Sequence, residues 1–90
     1  MKVQIHIENI REEVTARDAA HLLSQFRSEA ARRAPFLVRA VISRMSDLGF
    51  AGEAVRRDNA RSGRTDAAPR SAEEFLDWAV ARGYATIAEK

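Results

Sequence analysis

The chain has no cysteine among its 90 residues. Disulfides and thiolate metal sites are therefore excluded, and the cohesion of the fold must be wholly non-covalent. This usage fits a reducing, cytoplasmic setting. Histidine is scarce too: His6 and His21 are the only two, they fall on different elements, and a zinc site wants three or four ligands. No metal or other cofactor is expected. Long apolar runs are absent, since nothing approaches the ~18 consecutive residues that cross a bilayer. The opening MKVQIHIENI alternates instead of running apolar, unlike a signal peptide. No membrane role is expected. Nor does any Ser/His/Asp set, glycine-rich phosphate loop or isolated carboxylate pair stand out, so enzymatic activity is not expected.

The hydrophobic fraction is 46 %, but 17 of those residues are alanine, and Leu, Ile, Val and Phe together number 20. A chain of this size buries roughly 60–65 % of its unfolded surface. One domain over residues 1–90 with a thin core is the expectation, and self-association as a homodimer is the most direct way to enlarge such a core.

Two periodicities organise the sequence. Val3, Ile5 and Ile7 alternate with Lys2, Gln4, His6 and Glu8, which predicts a half-buried strand. Residues 9–14 read as a connection or an extra turn. Thr15 reads as an N-cap, with Asp18 in the first turn, and Ala19, Leu22, Leu23, Phe26 and Ala30 recur at helical spacing. Pro35 ends that helix and opens a second over about 35–48. Its wide stripe of Leu37, Val38, Val41, Ile42, Met45 and Leu48 marks it as the central helix, closed by Gly49 and Phe50 in a Schellman ending. Residues 51–61 predict a short third helix anchored by Val55 alone, followed by a loop over 62–69 punctuated by Gly63 and Pro69. Ser71 and Glu74 form a capping box that opens a last helix bearing Phe75, Leu76, Ala79 and Val80. Gly83 ends it, Tyr84 packs back, and 84–87 make a closing strand. The predicted fold is α+β, β-α-α-(α)-α-β, a helical layer on a small sheet of N- and C-terminal strands. Two short strands must pair with each other or each with its copy in a dimer, because a lone strand does not persist in water.

Charge is unevenly placed although the net charge is only +2. The basic residues concentrate in the middle of the chain, above all in Arg56–Arg70, RRDNARSGRTDAAPR, which holds five arginines and no apolar side chain larger than alanine. This segment is expected to be flexible or partly ordered. Arginine forks suit phosphate and carboxylate acceptors. Arg56, Arg57, Asn59, Arg61, Arg64 and Arg70, with Arg44 beside them, are the candidate nucleic-acid-binding residues.

Residues 37–60 resemble a DNA-binding helix-turn-helix: helix, Leu48-Gly49-Phe50, then a helix with Val55 early and Arg56, Arg57, Asn59 and Arg61 along it. The resemblance implies major-groove readout, arginine on guanine and asparagine on adenine. Arg44, Met45 and Asp58 depart from the pattern, which wants apolar or small residues there. A strand followed by two helices is also the order of a ribbon-helix-helix, in which Lys2, Gln4 and His6 would face the major groove, with Val3, Ile5 and Ile7 in an intertwined dimer core. Here the link at Ala34-Pro35 lacks the usual turn, and the last 40 residues would be surplus.

Trp78 is a further candidate interface residue, because Phe75 and Leu76 claim the core side of its helix and exposed aromatics favour interfaces. Two functions remain: a small nucleic-acid-binding or regulatory protein, DNA more than RNA, using an arginine-rich surface; or a protein-interaction or structural module that binds an acidic partner surface.

Overall fold

The computed structural model describes residues 1–7 and 10–89. The fold is α+β. Its elements run β1 (Lys2–Ile7), β2 (Ile10–Thr15), α1 (Ala19–Arg33), α2 (Phe36–Arg44), α3 (Asp47–Ser62), α4 (Ala72–Ala81) and β3 (Ala85–Glu89). The sheet is antiparallel with order β2-β1-β3, so the first strand lies in the middle.

The terminal strands pair within one chain, with Val3 opposite Ile87 and Ile5 opposite Ala85. The expected connection over 9–14 is instead a third strand, apart from Asn9, which lies outside the described residues. Val14 faces Val3, and Glu12 faces Ile5. Arg11, Glu12 and Glu13 conceal the strand alternation, and charges of that kind are what an edge strand carries to deter unwanted pairing. Val3 and Ile5 are buried in the chain's own core, at 0 % and 6 % exposure.

Helix α1 joins two clusters of buried side chains. Leu22 packs with Val3, Ile5, Leu76, Ala79 and Ala85 over the sheet. Leu23, one residue on, turns to Ala51, Val55 and Phe75. Phe26, Ala72 and Trp78 border both clusters. The N-cap of α1 is Asp18, not Thr15: its Oδ1 accepts the His21 N–H at 2.8 Å. At the far end of the chain the sequence reading holds for Phe75, Leu76 and Ala79, which are buried, but not for Val80, which is 39 % exposed. Ser71 Oγ accepts the Glu74 N–H at 3.1 Å as the capping box requires, while Glu74 Oε1 reaches one residue further back and accepts the Arg70 N–H at 2.9 Å. Gly83 (φ 82°) then closes α4 in a Schellman motif, its N–H donating to Val80 O and that of Tyr84 to Ala79 O.

The middle of the chain is divided differently from the expectation. Helix α2 stops at Arg44, and Ser46 opens a new helix by accepting the Gly49 N–H at 2.9 Å. Leu48, Gly49 and Phe50 therefore sit in the first turn of α3 and end nothing. This 16-residue helix buries Ala51, Val55 and Asp58. Helix α2 buries no residue at all. Helices α1 and α4 supply the side chains that pack on the sheet, and α2 lies against α1 at the outside. The helix-turn-helix alignment fails in the same place, because its turn residues are helical.

Candidate binding surfaces

The arginines of 56–70 are held by local acids. Arg56 grips Glu53 with two nitrogens, and Arg57 adds its Nε to Glu53 Oε1 at 3.1 Å. The two guanidiniums, Arg56 first, pull the Glu53 carboxyl down to about 2. Arg64 Nε lies 3.3 Å from Asp66, and Arg70 Nε 3.6 Å from Glu74. The segment is half helix, ending at Gly63 in the left-handed region (φ 76°), and half loop. Asn59 ties the two halves together: its amide donates to Asp66 O at 2.8 Å and accepts the Asp66 N–H at 3.1 Å. Trp78 Nε1 then donates to Asp66 Oδ2 at 3.0 Å, the main cause of a lowered Asp66 pKa. The Trp78 ring stacks on Phe75 (5.7 Å between centroids) and leans on Tyr84 (5.8 Å). Trp78 thus lies over the core and fastens the arginine loop to it.

Asp58 is the centre of a second network. It is a buried carboxylate at 5 % exposure. Tyr84 Oη donates to Oδ1 at 2.5 Å, Arg61 Nη2 donates to the same oxygen at 3.0 Å, and Arg82 Nη2 and Nε reach Oδ2 at 3.1 and 3.3 Å. The tyrosine hydroxyl, more than the arginines, holds the Asp58 carboxyl below its ordinary range against the opposing effect of burial. Arg61 also approaches Tyr84 Oη at 3.4 Å. These residues join α3, α4 and the start of β3.

Helix α2 offers a different surface. Phe36 and Leu37 are 78 % and 77 % exposed, with Val38 and Val41 beside them. From Ala30 to Ser46 the sequence holds Arg32, Arg33, Arg39 and Arg44 and no acid. Arg32 and Arg33 pair with Glu29, and Arg33 also with Glu12. Arg39 gives its guanidinium to Ala31 O at 3.1 Å and to Arg32 O and Ala34 O at 3.4 Å. Those acceptors are carbonyls at the C-terminal end of α1, so Arg39 meets the negative end of a helix dipole but no carboxylate among the described residues. Arg44 is exposed and makes no ion pair among the described residues.

A cleft of about 910 Å³ opens between the packed face of the sheet and α1, α3 and α4. Ile5, Ile7, Phe26, Phe75, Trp78 and Tyr84 line it, and Arg33 and Arg57 are among its polar residues. Among the described residues no group of three or more His, Asp or Glu side chains is placed to hold a metal ion, and no helix is long and apolar enough to cross a membrane. No protein-family model matches the chain, and neither a curated protein nor a solved structure does.

The structure brings Arg56, Arg57, Asn59, Arg61 and Arg64 together around α3 and its loop, with Arg70 beyond them at the start of α4. Arg44 lies apart on α2. Sequence reasoning missed Asp58 and Tyr84, which are 26 residues apart. An acid at a helical position that should be apolar was the one signal.

Proposed function

We propose that this domain is a non-catalytic protein-interaction module that binds an acidic, apolar partner segment through α2. The observation that carries the reading is the pairing of exposed Phe36, Leu37, Val38 and Val41 with Arg39 and Arg44, neither of which meets a carboxylate among the described residues. An apolar patch on a small monomer marks an interaction site, and a one-signed charge around it selects the opposite sign in the partner. A second copy is the poorer occupant, because two such helices face to face would bring Arg39 and Arg44 against their own copies. The arginines of 56–70 support nucleic acid less strongly, because Glu53, Asp58, Asp66 and Glu74 stand beside them; Arg56 and Arg57 share Glu53, which leaves one positive charge in excess there. That second reading keeps one favourable observation, the acid-free basic run over 30–46.

Anisotropy with labelled probes tests both readings. The domain should bind an amphipathic helical peptide of Leu and Glu, and not its Leu and Lys counterpart. Phe36→Ser with Leu37→Ser should abolish that binding. Equal binding of both peptides, or an unaffected double variant, overturns the proposal. Random-sequence duplex and single-stranded DNA at several salt concentrations form the second arm. Steeply salt-dependent binding, lost when Arg39 and Arg44 become alanine, would establish the nucleic-acid function instead.

A further inference from the structure

The cleft beside α3 is independent of α2, none of whose residues lines it. Its volume of about 910 Å³ falls in the range of small-molecule sites, about 300–1,000 Å³. The lining comes from β1, β2, α1, α3, α4 and β3, so an occupant would be enclosed from several directions.

The chemistry of the lining narrows the occupant. Trp78, Tyr84, Phe26 and Ile7 form a largely aromatic floor that remains partly accessible. Three acids border it, and each is already in contact with a guanidinium: Glu29 with Arg32 and Arg33, Glu12 with Arg33, Asp58 with Arg61 and Arg82. A cationic ligand would have to displace them. Arg57 is placed differently. Only its Nε is engaged, with Glu53, and Glu53 is not among the cleft residues. Its two terminal nitrogens take no protein acceptor among the described residues, and they suit a carboxylate.

We propose that this cleft binds a small amphipathic anion, an aryl or medium-chain carboxylate, with its apolar body on Phe26, Trp78 and Tyr84 and its charge at Arg57. Binding there is an activity separate from partner capture by α2.

Trp78 is the chain's one tryptophan, so its emission reads occupancy directly. The full chain would be titrated with 4-phenylbutanoate and octanoate, and with the neutral amide of each acid as a control. The expected result is a saturable change in Trp78 emission with the acids and at least ~10-fold weaker binding of the amides, the contribution of a charge-assisted hydrogen bond. Arg57→Ala should weaken the acids by about tenfold and leave the amides unchanged. Ala54→Phe, which fills the cleft from α3, should abolish binding of all four, read by amide chemical shifts, with circular dichroism confirming the fold. The α2 double variant should titrate like the parent, which separates failure of this proposal from failure of the other. No saturable change up to several millimolar overturns the site. Equal binding of acids and amides overturns the anion assignment, and binding that survives Ala54→Phe overturns the site.

Discussion

Replacing Asp58 with asparagine tests whether the buried carboxylate organises the joint between α3, α4 and β3. The side chain keeps its size and loses its charge. Three donors then face a neutral amide: Tyr84 Oη, Arg61 Nη2 and the Arg82 fork. Removing one member of a buried, hydrogen-bonded charge set costs about 3–5 kcal/mol. A domain of 90 residues has about 5–13 kcal/mol in total, and each kcal/mol moves its melting temperature by about 4–8 °C. Asp58→Asn should therefore melt more than about 10 °C below the parent, followed by circular dichroism and Trp78 emission. Tyr84→Phe removes one donor and leaves both guanidiniums, and should lose only about 1.5–3 kcal/mol. The pH dependence has a definite sign. The folded-state pKa of Asp58 is depressed, so its stabilisation is complete above the unfolded value of about 4 and is lost as pH falls through the lower folded value. The gap between parent and Asp58→Asn should be constant from about pH 5 to 8 and should close in strong acid. A loss below about 1 kcal/mol at neutral pH, or a gap that widens in acid, would refute the reasoning.

Further outcomes follow from other residues. Glu53 should titrate at about 2 by carbon-detected NMR, and Arg56→Ala should move that midpoint up toward about 4. Leu22→Ala, at a side chain 1 % exposed between sheet and helices, should cost about 3 kcal/mol in urea unfolding through the cavity it leaves. Gly63→Ala meets no neighbour within 4 Å but must hold φ 76°, so its cost, about 1 kcal/mol, should come from backbone strain alone. Phe36→Ser with Leu37→Ser should leave the melting temperature within about 4 °C of the parent, because neither side chain supports the core.

The parts of the fold that could be read from sequence are those where local signals and tertiary packing agree. Strict alternation over 2–7, the Ser71–Glu74 box and Gly83 each specify a local geometry, and β1, α4 and its Schellman ending follow. The middle of the chain misleads because its signals are ambiguous at short range. Gly49 after an apolar stripe reads as a terminator, yet Ser46 three residues earlier is an equally good cap, and packing of Ala51 and Val55 on Leu23 decides for one long helix. Leu37, Val38 and Val41 look like core by composition. Whether a stripe is buried depends on which helices pack on the sheet, and that place is taken by α1 and α4. The candidate site divides in the same way. The arginine cluster is visible as composition, but its pairing with Glu53, Asp66 and Glu74 depends on side-chain reach. The Asp58–Tyr84–Arg82 network and the cleft arise only when distant elements meet.

The central position of β1 governs how the chain can be made. Its partner on one side, β2, follows at once, but Val3 meets Ile87 only after about eighty further residues are present. Closing so long a loop is entropically slow. Until then the hairpin of β1 and β2 presents an open edge and an apolar face still lacking Ala85 and Ile87. A chain truncated before residue 85 should therefore fail to close the core, and should be an early target for proteases or self-aggregation during synthesis. The same pairing sets residues 2 and 89 side by side, where Lys2 Nζ lies 3.7 Å from Glu89 Oε2. A short peptide bridging those ends, with new ends cut into the loop after Gly63, would turn β3-β1-β2 into one continuous meander and remove the delay.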